Sequence, residues 1–142
     1  MSKELYTHHS LHSMNADILI SASESFAKKI SESFSGKNVA LAYRGLSGIS
    51  IATATLMACH RIGINLSSFY VRKVRETSHG SPVETSLQCR PEEIDVIIFI
   101  DDFIDSGITL LNVYRKLIAY DFYHETLRSG TPCSISKAEW YV

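Results

Sequence analysis

VIIFIDDFIDSGITLLNVY (Val96–Tyr114) decides how this chain reads. Five apolar residues, Val96 to Ile100, do not alternate with polar ones. That is the pattern of a strand covered on both faces. The run ends on two adjacent carboxylates, Asp101 and Asp102. A polar turn with Gly107 follows, and then Leu110, Val113, Tyr114, Leu117 and Ile118 recur at helical spacing. Strand, acidic pair, turn and helix make a unit with a functional end, because ligands of open parallel sheets bind beyond the carboxyl ends of the strands.

Working outward, Asp95–Ile100 is the strongest strand in the chain. Upstream, Asn15–Phe34 carries Leu19, Ala22, Phe26, Ala27 and Ile30 at helical spacing, with Gly36 placed to end that helix. Asn38–Tyr43 reads as a short buried strand. Arg44–Gly48 (RGLSG) reads as a loop by its glycines. ISIATATLMACHRIG reads as a helix ending at Gly63, and Asn65–Val74 as a second strand. Arg75–Ser86 is polar and holds Gly80 and Pro82, which suits a mobile loop or a hairpin. The tail, Asp121–Val142, accommodates a short helix and a last strand ending in Trp140. Strands separated by helices predict an α/β fold, an open and mainly parallel sheet flanked by helices.

The 142 residues suit a single domain, 1–142. At 45% hydrophobic and 20% charged, the chain can bury a core. Its net charge of -1 argues against a nucleic-acid footprint over the whole surface and leaves room only for a local basic patch; no nucleic-acid partner is expected. No apolar run approaches the roughly 18 residues that cross a bilayer, so no membrane partner is expected. Cys59, Cys89 and Cys133 lack metal-type spacing. With no apolar leader in MSKELYTHHSLHSMN, they read as free thiols, and the expected location is cytoplasmic. His8, His9 and His12 are loosely spaced in a polar arm and do not make a metal site.

The turn after the acidic pair has the makings of an anion site. Gly107 permits a tight backbone, Ser106 and Thr109 offer hydroxyls, and a helix's first turn offers unpaired N–H groups. Asp101 and Asp102 would repel a phosphate directly. They suit a ligand with hydroxyls or a divalent metal beside its phosphate, as in a ribose 5-phosphate.

VIIFIDDFIDSGITL resembles the phosphoribosyl pyrophosphate (PRPP) motif of the type I phosphoribosyltransferases, with every part present in order and without gaps. YRGLSG resembles that family's pyrophosphate-binding loop. YVRKVRETSHG is similar to the strand and closing loop of the orotate enzymes. The resemblance covers Asn38 to about Ala119. It implies a core of about 36–120, with the N-terminal helix and the C-terminal tail as candidates for a minimal hood. The implied activity is transfer of ribose 5-phosphate from PRPP to a nucleobase, with pyrophosphate released and Mg²⁺ required.

By the same resemblance, Asp101, Asp102, Asp105, Ser106, Gly107, Ile108 and Thr109 bind PRPP. Asp101 and Asp102 hold Mg²⁺, directly or indirectly. Arg44, Gly45, Arg72, Lys73 and Arg75 bind the pyrophosphate. Asp105, Lys73 and His79 are the catalytic candidates. Asp105 stands where the 6-oxopurine enzymes carry an Asp near the base, whereas the closing loop is orotate-like, so both base classes stay open. A homodimer is implied as well.

Blander readings stand beside these. The acidic pair can simply end a strand, and Arg44–Gly48 can be an ordinary connection. The segment RKVRETSHG can be a solvated hairpin, and Asp105 can complement a helix dipole. Trp140 can be a core or dimer residue rather than a platform for a base. The competing function is a regulatory module of the same fold that binds PRPP or a nucleotide without turnover. An unrelated phosphate-loop fold would need G-x-G-x-x-G or G-x-x-x-x-G-K-[ST], and neither is present.

Overall fold

The computed structural model describes residues 15–73, 81–101, 106–129 and 138–142, with backbone only at 47 and 120–129. Helix α1 (Ala16–Ser33) leads into β1 (Val39–Tyr43), α2 (Gly45–Arg61) and β2 (Ser67–Val71). Then come β3 (Val83–Ser86), a 3₁₀ turn at Pro91–Glu93 and β4 (Val96–Phe99), followed by α3 (Ile108–Ser129) and β5 (Glu139–Tyr141). The five strands are ordered β3-β2-β1-β4-β5. All neighbours are parallel except the β2–β3 hairpin.

Alternation along each strand builds two cores. Val39 and Leu41 of β1, with Val96 and Ile100, meet α1 and α2 through Ala27, Ile30, Ile51, Ala52 and Cys59. Ala40 and Ala42, with Phe69, Val71, Ile97 and Phe99, meet α3 through Val113 and Leu117. Both faces of the central strands are therefore covered, as the unbroken apolar runs require. The N-terminal helix is one of the two layers on the first face, with Ser23, Ala27 and Ile30 buried. The tail supplies the fifth strand, and Trp140 packs on the second core with its ring 5.0 Å from that of Tyr114. That matches the core reading of Trp140.

Two elements differ from the sequence reading, and a third takes one of the two forms left open for it, the hairpin. Arg44–Gly48 is not a loop, because α2 begins at Gly45 directly after Arg44. Gly45, at φ +74°, completes the change of direction in one residue, so no longer connection is needed. The polar Val83–Ser86 forms a strand because its backbone pairs with Ser68–Val71 and closes a hairpin. The last helix is continuous to Ser129.

The start of β1 is pinned to β4. The Asn38 amide donates to Asp95 Oδ2 at 2.8 Å, and the Asp95 amide donates to the Asn38 carbonyl at 2.9 Å. At the other end the Ile100 amide donates to the Ala42 carbonyl at 3.0 Å. Asp101 is thus the first residue beyond the sheet.

Candidate functional site

From β1 the chain crosses to β2 on one side, while β4 lies on the other. The carboxyl ends of β1 and β4 therefore flank a topological switch point, where open α/β sheets bind ligands. Three chain segments meet there. A Cβ built on Gly48 would lie 3.6 Å from the Ile100 carbonyl and 3.9 Å from Asp101 Oδ1, so the first turn of α2 stands against the end of β4. A Cβ on Gly45 would lie 3.4 Å from Lys73 Cε and Nζ. The Arg44 guanidinium donates to the Arg72 carbonyl at 3.4 Å. Sequence positions 44, 45, 48, 72, 73 and 101 are thereby brought to one end of the sheet.

The helices facing that end differ from α1 at their first turns. Helix α1 satisfies itself: Asn15 Oδ1 accepts from the Ile18 amide at 3.1 Å, and Asp17 lies in the first turn. Helix α2 receives no side-chain cap from Arg44 and has no acidic residue in its first turn. Helix α3 also has none there, and its nearest cap is Ser106 Oγ, 3.4 Å from the Ile108 amide. Orphan N–H groups and the positive end of the dipole therefore face the switch point from two sides, which favours anions. Gly107, at φ +75°, makes the turn into α3, and Ser106 and Thr109 are exposed beside it.

The cations are arranged differently from their sequence order. Arg44 is half-buried, and its Nε is buried without a hydrogen-bond partner. Lys73 is exposed, next to Gly45. Arg72 turns away. Its guanidinium pairs with Glu84 of β3 and lies 5.7 Å from the centre of the Tyr70 ring. In place of Arg72, sequence reasoning missed Lys116. From α3 its ammonium donates to the Arg72 carbonyl at 2.6 Å. The available signal was a lysine on the sheet-facing side of the helix, between Val113 and Leu117.

Asp102, Asp105, Arg75 and His79 lie outside the described residues. Among the described residues no group of three or more His, Cys, Asp or Glu side chains could hold a metal by itself. One or two carboxylates at a strand end fit a Mg²⁺ shared with a ligand's phosphates.

Two of the cavities among the described residues lie along α1. One of about 490 Å³ sits between α1 and α2, beside Ala58 and Arg61, away from these residues. A groove of about 340 Å³ runs along α1 past Phe34, Ile98 and Tyr141 and reaches Asp101.

No protein-family model matches the sequence, and no curated protein does. Among solved structures, orotate phosphoribosyltransferase from Francisella tularensis is similar, with a TM-score of 0.59 at 16% identity. The match covers 81% of this chain and 52% of that one. The fold is that of the type I phosphoribosyltransferases, and the chain spans about half the length of the orotate enzyme it matches. No helix among the described residues is long and apolar enough to cross a membrane.

Proposed function

We propose that this protein is a phosphoribosyltransferase, moving ribose 5-phosphate from PRPP to a nucleobase of the orotate or purine class and releasing pyrophosphate. One observation carries the reading. Arg44, Gly45, Lys73 and Asp101 meet at the switch point, and the first turns of α2 and α3 carry no acidic residue. A ligand with a phosphate at one end, hydroxyls in the middle and a diphosphate at the other matches that order of groups.

In this reading the turn at Ser106–Thr109 holds the 5′-phosphate. Asp101 and Asp102 accept hydrogen bonds from the ribose hydroxyls. Arg44 and Lys73, with the first-turn amides of α2, neutralise the diphosphate. The bond between ribose C1 and the diphosphate oxygen breaks, and the oxygen keeps the electron pair. A base nitrogen bonds to C1 and gives up its proton, for which Asp105 is the candidate acceptor. The chain's contribution is mainly electrostatic, since positive charge grows on the sugar and negative charge on the leaving group. Mg²⁺, held between Asp101, Asp102 and the ligand, would supply further charge to the diphosphate. The proposed assembly is a homodimer, and the proposed setting is the cytoplasm.

A second reading, a PRPP- or nucleotide-binding regulator, is favoured by the Arg72 geometry. Its guanidinium is held by Glu84, away from the place the sequence reading gave it.

The test is pyrophosphate release from PRPP and Mg²⁺ with orotate, uracil, adenine, hypoxanthine, guanine or xanthine, alongside calorimetry with PRPP alone. Release with one base is expected. Binding without turnover of any base supports the regulator. The double substitution Asp101→Asn with Asp102→Asn is expected to abolish PRPP binding while the circular dichroism spectrum is kept. An unchanged Kd removes the site assignment.

A further inference from the structure

The Arg72 carbonyl sits where β2 leaves the sheet. Its own amide still pairs with β3, donating to the Pro82 carbonyl at 2.9 Å. The carbonyl, however, accepts from two cations that belong to other parts of the chain. Arg44 Nη2 approaches at 3.4 Å from the end of β1, and Lys116 Nζ at 2.6 Å from α3. A neutral backbone oxygen with a positively charged donor on each side is an unusual joint. Charge-assisted bonds hold it firmly, yet the two donors repel one another, and Lys73 adds a third cation one residue along.

Lys116 also stands at a costly position. It is half-buried on the helix face that carries the fully buried Val113 and Leu117. An apolar residue there would pack without desolvating a charge. A lysine buries its stem and carries its ammonium to the rim, and here that rim is the end of β2.

We propose that Lys116 is a positioning residue of the anion site. It fixes the Arg72 peptide, and through it sets both where Lys73 leaves the sheet and where the Arg44 guanidinium is held. It also ties α3, whose first turn faces the switch point, to the cationic end of β2. An anion at Arg44 and Lys73 therefore meets cations whose positions Lys116 helps to set. This inference rests on the proposed function for the identity of the anion, a diphosphate.

The test uses the full chain, Lys116→Met and Lys116→Arg, titrated by calorimetry with PRPP and separately with inorganic pyrophosphate, each with Mg²⁺. Thermal melts are recorded for all three proteins. Met keeps the length of the stem and removes the charged donor, whereas Arg keeps both charge and donor. The expected result is a loss of about tenfold or more in affinity for both ligands in Lys116→Met, and rescue to within about threefold in Lys116→Arg. The dependence of log Kd on log salt should also be shallower in Lys116→Met, a change that lost packing alone would not produce. Equal affinities and equal salt slopes in wild type and Lys116→Met overturn the inference and leave the proposed function standing. Should Lys116→Met fail to fold, Lys116→Gln takes its place, because it removes the charge and shortens the reach while keeping a polar side chain at the rim. A wild-type protein that binds neither ligand overturns the proposed function, and the inference with it.

Discussion

Arg44, Gly45 and Arg72 show how single residues set the chemistry of the sheet's end. Gly45 reverses the chain at once, which puts α2's uncapped first turn beside Lys73. Arg72 lies next to Lys73 in sequence, but its guanidinium is directed to Glu84 and the Tyr70 ring. Adjacent residues on a strand point to opposite faces, so two neighbouring cations cannot serve one site equally. Cys59 shows the effect of burial on a single group. It is fully enclosed in the α1–α2 core, and desolvation pushes its thiol up to about 11 from 9.0. The folded state therefore keeps its proton where the unfolded chain loses it. The stabilisation is complete below about pH 9 and is lost as pH rises toward 11. Melts of wild type and Cys59→Ala from pH 7.5 to 11 check this. The melting temperature is expected to fall more steeply above pH 9 in wild type. Parallel curves would contradict the assignment.

At the scale of elements, α3 joins the turn at Ser106–Gly107 to the core. Its Val113 and Leu117 are fully buried against Phe69, Ile97 and Phe99. Leu117→Ala removes several methyl groups from a packed layer and leaves a cavity. The expected cost is about 2–5 kcal/mol in denaturant unfolding, a large share of the roughly 5–15 kcal/mol typical of a domain. A loss under about 1 kcal/mol would mean that α3 does not pack on the sheet in solution. The elements legible in the sequence were those with strong local signals: α1, β1, α2 beyond its first turn, β2, β4 and the first part of α3. Strand β3 was legible only as one of two alternatives, a loop or a hairpin, because VETS has three exposed side chains out of four and pairing with β2 makes it a strand. RGLSG misled because its glycines look like a loop, whereas one of them makes the turn and another lets α2 approach β4.

For the whole molecule, the open question is what covers its apolar surface. Leu46 on the first turn of α2 is 66% exposed, Ile108 on that of α3 is 63%, and the terminal Val142 is 70%. The groove along α1 leaves Tyr141 and Phe34 in edge-to-face contact at its wall, 4.7 Å between centroids. A chain with this much exposed apolar surface gains from a second copy that buries it. Multi-angle light scattering at micromolar concentration is expected to give the mass of a dimer. A monomer would place the apolar surface in contact with something other than this chain.

The sequence alone determined the parallel α/β plan and the position of the acidic pair and the glycine turn that follows it. Those features are written in contiguous residues: an unbroken apolar run, two carboxylates, a glycine and a helical repeat. The tertiary structure decided which cations share the site. Arg44, Lys73 and Lys116 converge on the end of β2 from separate segments, and Glu84 draws Arg72 away. Those partnerships depend on strand order and on the packing of α3 across the sheet, and no local stretch of the chain encodes either one.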